Sequence, residues 1–192
     1  MFETGWAGDA AFVRREQEMM LQYVQGTLSM DEYMSFTLQP LAGRSVEEVA
    51  HHVRGFIAKA IVPVMRTNAL RCIAAHRDRG DRVIVISASG EHLVKPIAER
   101  FGVRETLSIE LAVRDARYTG ETKGILTYRE GKVARLAALL DGDLTALAEA
   151  SFYSDSGNDL PLLVKVGDPH AVNPDGVLLN HARRARWPIH HW

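Results

Sequence analysis

The sequence predicts an α/β protein: an all-helical subdomain followed by a sheet of parallel strands with its ligand site at their carboxyl ends. Two serine-led helix starts in the first third support this, as does a continuous β-branched run at Arg82–Ser87. From that run onward, strand and helix signals alternate to the end of the chain. The expected division is residues 1–62 for the helical subdomain and 63–192 for the α/β core.

Asp9 is placed to cap a helix reaching about Gln25, with Phe12, Met19, Met20, Tyr23 and Val24 on its apolar face. Ser29-Met30-Asp31-Glu32 is a capping box, in which the serine accepts from the third backbone N–H while the glutamate reaches back. Leu28 and Tyr33 flank it as a hydrophobic staple. Ser45-Val46-Glu47-Glu48 repeats the signature and opens a periodic helix with Val46, Val49, Val53, Phe56, Ile57 and Ala60 on one side. Pro63 suits the first turn of a further helix, ended near Arg79 by Gly80.

Arg82–Ser87 has the composition of a strand buried on both faces. A helix from Glu91 to about Phe101 follows, closed by Gly102. Leu107–Tyr118 alternates, which predicts a short hairpin. Gly131–Leu140 reads as a helix with Val133, Leu136, Ala137 and Leu140 on one side. Ser151–Ser154 and His170–Asn173 read as strands, Leu160–Val166 as a helix, and Asp175 as the cap of a last helix.

A formal net charge of -1 gives no basic surplus for nucleic acid or an anionic membrane surface. No apolar run has the length of a membrane span, and the first residues have neither the basic nor the apolar stretch of a signal peptide. The expected location is cytoplasmic. Cys72 is the sole cysteine, so no internal disulfide can form; its helical setting suggests a buried thiol in a reducing compartment.

Three features fall where strand-to-helix turns leave the sheet, which is where open α/β folds bind ligands. Ile86-Ser87-Ala88-Ser89-Gly90 is small enough for a phosphate to approach backbone N–H groups at a helix start. Lys132, after Gly131, stands in the first turn of a helix, where the dipole disfavours a cation. In Tyr153-Ser154-Asp155-Ser156-Gly157-Asn158-Asp159, two carboxylates crowd one turn and can converge on a hard cation such as Mg²⁺. Taken singly, these are also an ordinary helix cap, a solvated lysine, and a strand end beside a helix cap.

Together, in this order and followed by Leu160-Pro161-Leu162-Leu163, they resemble the later motifs of the haloacid-dehalogenase superfamily, in particular its phosphoserine-phosphatase-like branch, subfamily IB. The separations between Ser87, Lys132 and Asp155 suit that branch. Gln25–Asp31 and Pro40–Ser45 look like the helical cap that it inserts between its first and second motifs; Arg117–Gly120 and Ala171–Asp175 also look like family segments. The resemblance implies a Rossmann-like core with a helical cap. It implies a Mg²⁺-dependent phosphatase acting on a small phosphomonoester through an aspartyl-phosphate. Catalytic roles fall to Ser87 and Lys132, phosphoryl binding to Ser87, Ala88, Lys132 and Asn158, and metal binding to Asp155 and Asp159.

The family's first motif, a central strand ending in DxDx(T/V) that supplies the nucleophile, is expected before the cap and is not found there. Asp141-Gly142-Asp143-Leu144-Thr145 fits the string but follows a helix, and is expected to be a solvated loop. Omitting that strand would remove three or four buried side chains at roughly 1.5–3 kcal/mol each, most of a usual margin of about 5–15 kcal/mol. The expected account is a start assigned too late, with the nucleophile upstream; a truncated, inactive remnant is the alternative. Two other functions compete. One is a non-catalytic protein that keeps the pocket to bind phosphate or a partner. The other is a metal module built on His51, His52, His181, His190 and His191, whose spacing lacks the pattern of a closed site.

Overall fold

The computed structural model describes residues 10–192 except Gly26, with Val24 described by its backbone alone. Helices α1 (Ala10–Gln25), α2 (Met30–Leu38) and α3 (Val46–Phe56) form the first part. Both serine caps are made: Ser29 Oγ accepts from the Glu32 N–H at 3.4 Å, and Ser45 Oγ from the Glu48 N–H at 3.1 Å. The second box is only half closed, because the Glu48 carboxylate pairs with Arg44 at 2.5 Å. The cap expected at Asp9 lies outside the described residues.

Pro63 does not open a helix. The chain continues from α3 through a π-turn at Ile57–Ile61 into a 3₁₀ turn at Val62–Val64, and α4 (Thr67–Asp78) begins only after extended backbone at Arg66. A proline at the end of a helical stretch removes a donor and closes that stretch instead of starting the next.

The remaining elements are β1 (Ile84–Gly90), α5 (Glu91–Arg100), β2 (Glu105–Arg114), β3 (Arg117–Lys123), α6 (Glu130–Leu139), β4 (Ser151–Ser154), α7 (Leu160–Leu163), β5 (Asp168–Val172), α8 (Gly176–Ala185) and β6 (Ile189–His190). The hairpin β2–β3 is longer than the alternation in Leu107–Tyr118 suggests. Its turn is Asp115-Ala116, both at positive φ (50° and 57°), the twist a tight hairpin requires, reached without the usual Asn-Gly pair. The short β6 was not expected at all.

The expected single parallel sheet is divided in two. β1 pairs parallel with β2, which pairs antiparallel with β3; β4, β5 and β6 form a separate, all-parallel set. Helices α2 and α3 pack on the hairpin, joining Leu38, Leu41, Val49 and Ile57 to Ile109, Leu111 and Tyr118 in one cluster. Backbone bonds from Gly43 N–H to Tyr118 O (2.8 Å) and from Tyr118 N–H to Arg44 O (2.9 Å) tie the helices to β3. Leu163, Ala171, Leu178 and Ala182 form a second cluster between α7, α8 and β5.

Between these bodies the apolar side chains are only half-buried. Ile84, Val85 and Ile86 of β1, Leu136 and Leu140 of α6, and Phe152 of β4 all keep solvent contact, contrary to the expectation that β1 is enclosed on both faces. Cys72, expected to be buried, is likewise intermediate and lines a cavity of about 300 Å³ with Val85, Ile86 and Phe152. On another side a cavity of about 220 Å³ is lined by Ile84, Ile86, Leu136, Leu140 and Phe152. The facing edges of β1 and β4 therefore border an open apolar slot.

One half-buried histidine makes the stability depend on pH. The His92 ring at the start of α5 lies beside Gly90, 6.2 Å from the Tyr118 ring, and its Nδ1 has no partner among the described residues. Burial depresses its pKa to about 4, with Glu91 opposing. A folded pKa below the unfolded value of about 6.5 means that the unfolded state binds more protons between the two. Stability is therefore complete above about pH 6.5 and declines as pH falls toward 4, by about 2–3 kcal/mol at pH 4.5. Urea unfolding at pH 7 and 4.5 should show this loss in the wild type and a smaller one in His92→Leu; equal losses would exclude His92 as the source.

Candidate active site

At the carboxyl end of β1 the pairing with β2 becomes irregular: Ile86 faces Leu107, but Gly90 faces Ile109, so Ser87-Ala88-Ser89 bulges off the ladder. Ser87 Oγ accepts from the Ser89 N–H at 3.2 Å, which fixes a compact turn ahead of α5.

Lys132 is delivered by a tight approach. A Cβ on Gly131 would overlap the Leu126 carbonyl, so only glycine lets the start of α6 pack this closely. Arg129, just before α6, sits at φ 49°, an uncommon conformation for a non-glycine residue. Its Nε donates to Asn158 Oδ1 at 3.1 Å, alongside the Tyr128 hydroxyl at 3.0 Å. These two bonds bind the start of α6 to the acidic turn after β4.

Lys132 and Asp159 are 5% and 8% exposed, and Nζ lies 2.6 Å from Oδ1. The other oxygen, Oδ2, accepts from Ser154 Oγ at 2.7 Å, and Ser154 Oγ in turn accepts from the Ser156 N–H at 3.1 Å. Both oxygens of Asp159 are thus engaged within the protein. Asp155 differs. It is exposed at the cavity rim yet walled by protein on its other sides; burial raises its pKa, and Asp159 and Asp175 add repulsion that its own backbone N–H and Lys132 only partly offset. Asp175 caps α8 through Leu178 N–H (2.8 Å) and holds Gly157 N–H (2.8 Å), which fixes the far side of the turn.

Ser87, Ala88, Lys132, Asp155 and Asp159 all line one cavity of about 320 Å³, with Ile86 and Phe152 at the end of the slot. Of the residues expected at the site, Asn158 alone is outside that lining and bonds to Tyr128 and Arg129 instead. Asp141-Gly142-Asp143 lies away from it, in the loop after α6, where Asp143 caps the Thr145 N–H (2.9 Å) and hydroxyl (2.6 Å). Among the described residues no three His, Cys, Asp or Glu side chains converge as a metal cluster. Of the histidines proposed for a metal module, His190 bonds to His170 (2.9 Å) and His181 packs beside Trp187. Sequence reasoning quoted Ser154 in the acidic turn without giving it a role, and missed the Tyr128–Arg129 pair and four side chains of the helical part that complete the cavity: Met20, Tyr23, Met30 and Tyr33. Their apolar periodicity was visible, but nothing in it separates a cavity wall from a core.

The donor set fits a hard divalent cation at Asp155, a carboxylate exposed and accessible from the cavity, whereas both oxygens of Asp159 are already engaged by Lys132 and Ser154. A family model described as haloacid dehalogenase-like hydrolase matches residues 1–164. The chain belongs to that family. This haloacid dehalogenase-like hydrolase is 37% identical over 186 residues to the histidinol-phosphatase of Neisseria meningitidis serogroup C (strain 8013), a match spanning 94% of this chain and 84% of that protein. A crystal structure of a protein of unknown function from Bordetella pertussis Tohama I superposes with a TM-score of 0.89 at 36% identity, covering 97% of this chain and 86% of that one. A phospho-aspartyl intermediate analogue of phosphoserine phosphatase superposes with a TM-score of 0.66 at 19% identity, over 95% of this chain and 81% of that one, and shares the fold.

The buried ion pair makes a prediction about stability. Lys132→Met leaves Asp159 buried with only Ser154 and should cost about 3–5 kcal/mol in urea unfolding. Combining it with Asp159→Leu should cost clearly less than the two single variants added together. Strict additivity would show that the two charges do not depend on each other.

Proposed function

We propose that this hydrolase is a phosphomonoesterase. Its cavity receives the phosphoryl group between the Ser87 hydroxyl, the backbone of Ala88 and Ser89, and the Lys132 ammonium. The observation that carries this is the convergence of Ser87, Lys132 and Asp155 from three separate turns on one cavity. Lys132 offsets negative charge on the phosphoryl oxygens, and Asp159, held by Ser154, keeps its ammonium in place. Asn158 is kept in this reading as a phosphoryl ligand although it lies outside the cavity lining, where Tyr128 and Arg129 hold its Oδ1. Asp155 is the carboxylate that would hold Mg²⁺, which supplies further neutralisation of the phosphate. We also assign residues 1–62 as a cap over a core of residues 63–192, since Met20, Tyr23, Met30 and Tyr33 close the cavity from the helical side.

None of the described cavity residues is a poised nucleophile. Ser87 Oγ has no base beside it, Asp159 is paired, and Asp155 is committed to the cation in this reading. The nucleophilic aspartate is therefore assigned to a strand outside this sequence that seats between β1 and β4, where the open slot ends at the cavity. It would form the aspartyl-phosphate that water then hydrolyses. The same lack of a nucleophile favours a second reading, a pocket that binds phosphate without turning it over. The substrate is a small phosphomonoester; the Neisseria relative is a histidinol-phosphatase. Among the described residues no helix is long and apolar enough to cross a membrane, and we place the activity in the cytoplasm.

The test assays an aryl phosphate with Mg²⁺, using this chain and a form extended by the in-frame codons upstream of Met1. The extended form should turn over and this chain should not, and Asp155→Asn in the extended form should remove Mg²⁺-dependent turnover by at least about 100-fold. Wild-type turnover in Asp155→Asn would overturn the metal assignment. Activity of the shorter form that vanishes in an Asp141→Asn, Asp143→Asn variant would move the nucleophile to that loop. Inactivity of both forms, with phosphate still bound, would favour the binding reading.

A further inference from the structure

The stretch Tyr128-Arg129-Glu130-Gly131 closes through a bond from the Gly131 N–H to Tyr128 O at 2.8 Å, and Arg129 holds φ 49° and ψ −120°. Those angles belong to the first central residue of a type II′ turn, a position that glycine normally fills. An arginine there strains the backbone. Its half-buried side chain reaches the acidic turn: Arg129 Nε and the Tyr128 hydroxyl both donate to Asn158 Oδ1, at 3.1 and 3.0 Å. The guanidinium also lies 5.2 Å over the Tyr128 ring. With both lone pairs of Oδ1 in use, the amide cannot reverse without losing both bonds. Asn158 is itself built into the turn of Asp155: its N–H donates to Ser156 Oγ at 3.2 Å, and the Ser156 N–H to Ser154 Oγ at 3.1 Å. The Arg129 carbonyl meanwhile accepts from the Lys132 N–H at 3.0 Å, so one residue joins the start of α6 to the turn that carries Asp155.

Resting on the reading of Asp155 as the cation ligand, we infer that Arg129 is a positioning residue for that metal. Its strained backbone is the condition for a guanidinium that holds Asn158, and with it the turn, in the shape that binds a cation. Charge alone would act the other way, because a guanidinium close to a cation site repels the cation. The sign of the change when Arg129 is removed therefore separates positioning from electrostatics. Strain supplies an independent mark: glycine at this position relieves it and alanine does not, although neither carries the guanidinium.

Mn²⁺ binding by the full chain, followed through the paramagnetic resonance signal of the free ion, tests this beside urea unfolding. Arg129→Ala and Arg129→Gly should both bind Mn²⁺ about tenfold more weakly than the wild type, even though each removes a positive charge. Arg129→Gly should nevertheless unfold at a higher urea concentration than Arg129→Ala, the reverse of their usual order. Equal loss of affinity in two variants of unequal stability would show that the metal site responds to the missing guanidinium and not to a weakened fold. Mn²⁺ affinity at or above the wild-type value in either variant would overturn the positioning role. A glycine variant no more stable than the alanine variant would overturn the strain on which the inference stands. Asp155→Asn checks the reading beneath it and should abolish the Mn²⁺ site. If that variant binds as tightly as the wild type, Asp155 is not the ligand and the inference falls with it; if it does not bind, a failure of the Arg129 variants counts against Arg129 alone.

Discussion

Every backbone N–H and C=O along a strand needs a partner, and among the described residues that requirement is met on only one side of β1 and one side of β4. β1 gives its other edge to β2 and β4 gives its other edge to β5. The facing edges border the same cavities, with Ile86 and Phe152 common to all three. Much else follows from this condition. The apolar face of α6 and the β-branched run of β1 are half-buried where they border the slot. The well-buried clusters lie away from the slot, under the hairpin and under α8.

The polar part of the site responds to a different pressure. Burying Lys132 and Asp159 is tolerable only because each satisfies the other and Ser154 takes the remaining oxygen. That closed arrangement separates two acids that stand four residues apart in one turn. Asp159 becomes an internal anchor for the Lys132 ammonium, while Asp155 is left accessible, its pKa raised first by partial burial and then by Asp159 and Asp175. Similar side chains acquire different chemistry from the partners the fold gives them.

Much of this was legible in the sequence. Ser29 and Ser45 announced their helices because a cap bond is local, needing only the N–H three residues on. Ser87, Lys132, Asp155 and Asp159 could be named because a strand-to-helix turn is also local, and the order of turns along an α/β chain determines which of them meet. What could not be read depends on distant partners. Glu48 leaves its capping role for Arg44, Pro63 ends a helix that began before it, and β1 reads as enclosed although one of its edges is unpaired among the described residues. The commitment of both Asp159 oxygens, and the use of Tyr23 and Tyr33 as cavity wall, exist only once α1, α2 and α6 are placed together.

The slot and the site are two views of one place. β1 ends at Ser87–Gly90 and β4 at Ser154, and both ends open on the cavity that holds Lys132 and Asp155, so the two strands point the same way toward it. A parallel strand seated between them would find ladder partners on both edges and apolar contacts on both faces, from Ile84 and Ile86, Leu136 and Leu140, and Phe152. Its last residues would then emerge beside Ser87 and Asp155 with no further choice of direction. In the proposed reading, completing the sheet and delivering a nucleophile to the phosphoryl site are therefore one event. The backbone bonds that stabilise the fold set the position of the reacting carboxylate, and the placement that catalysis requires is fixed by strand register.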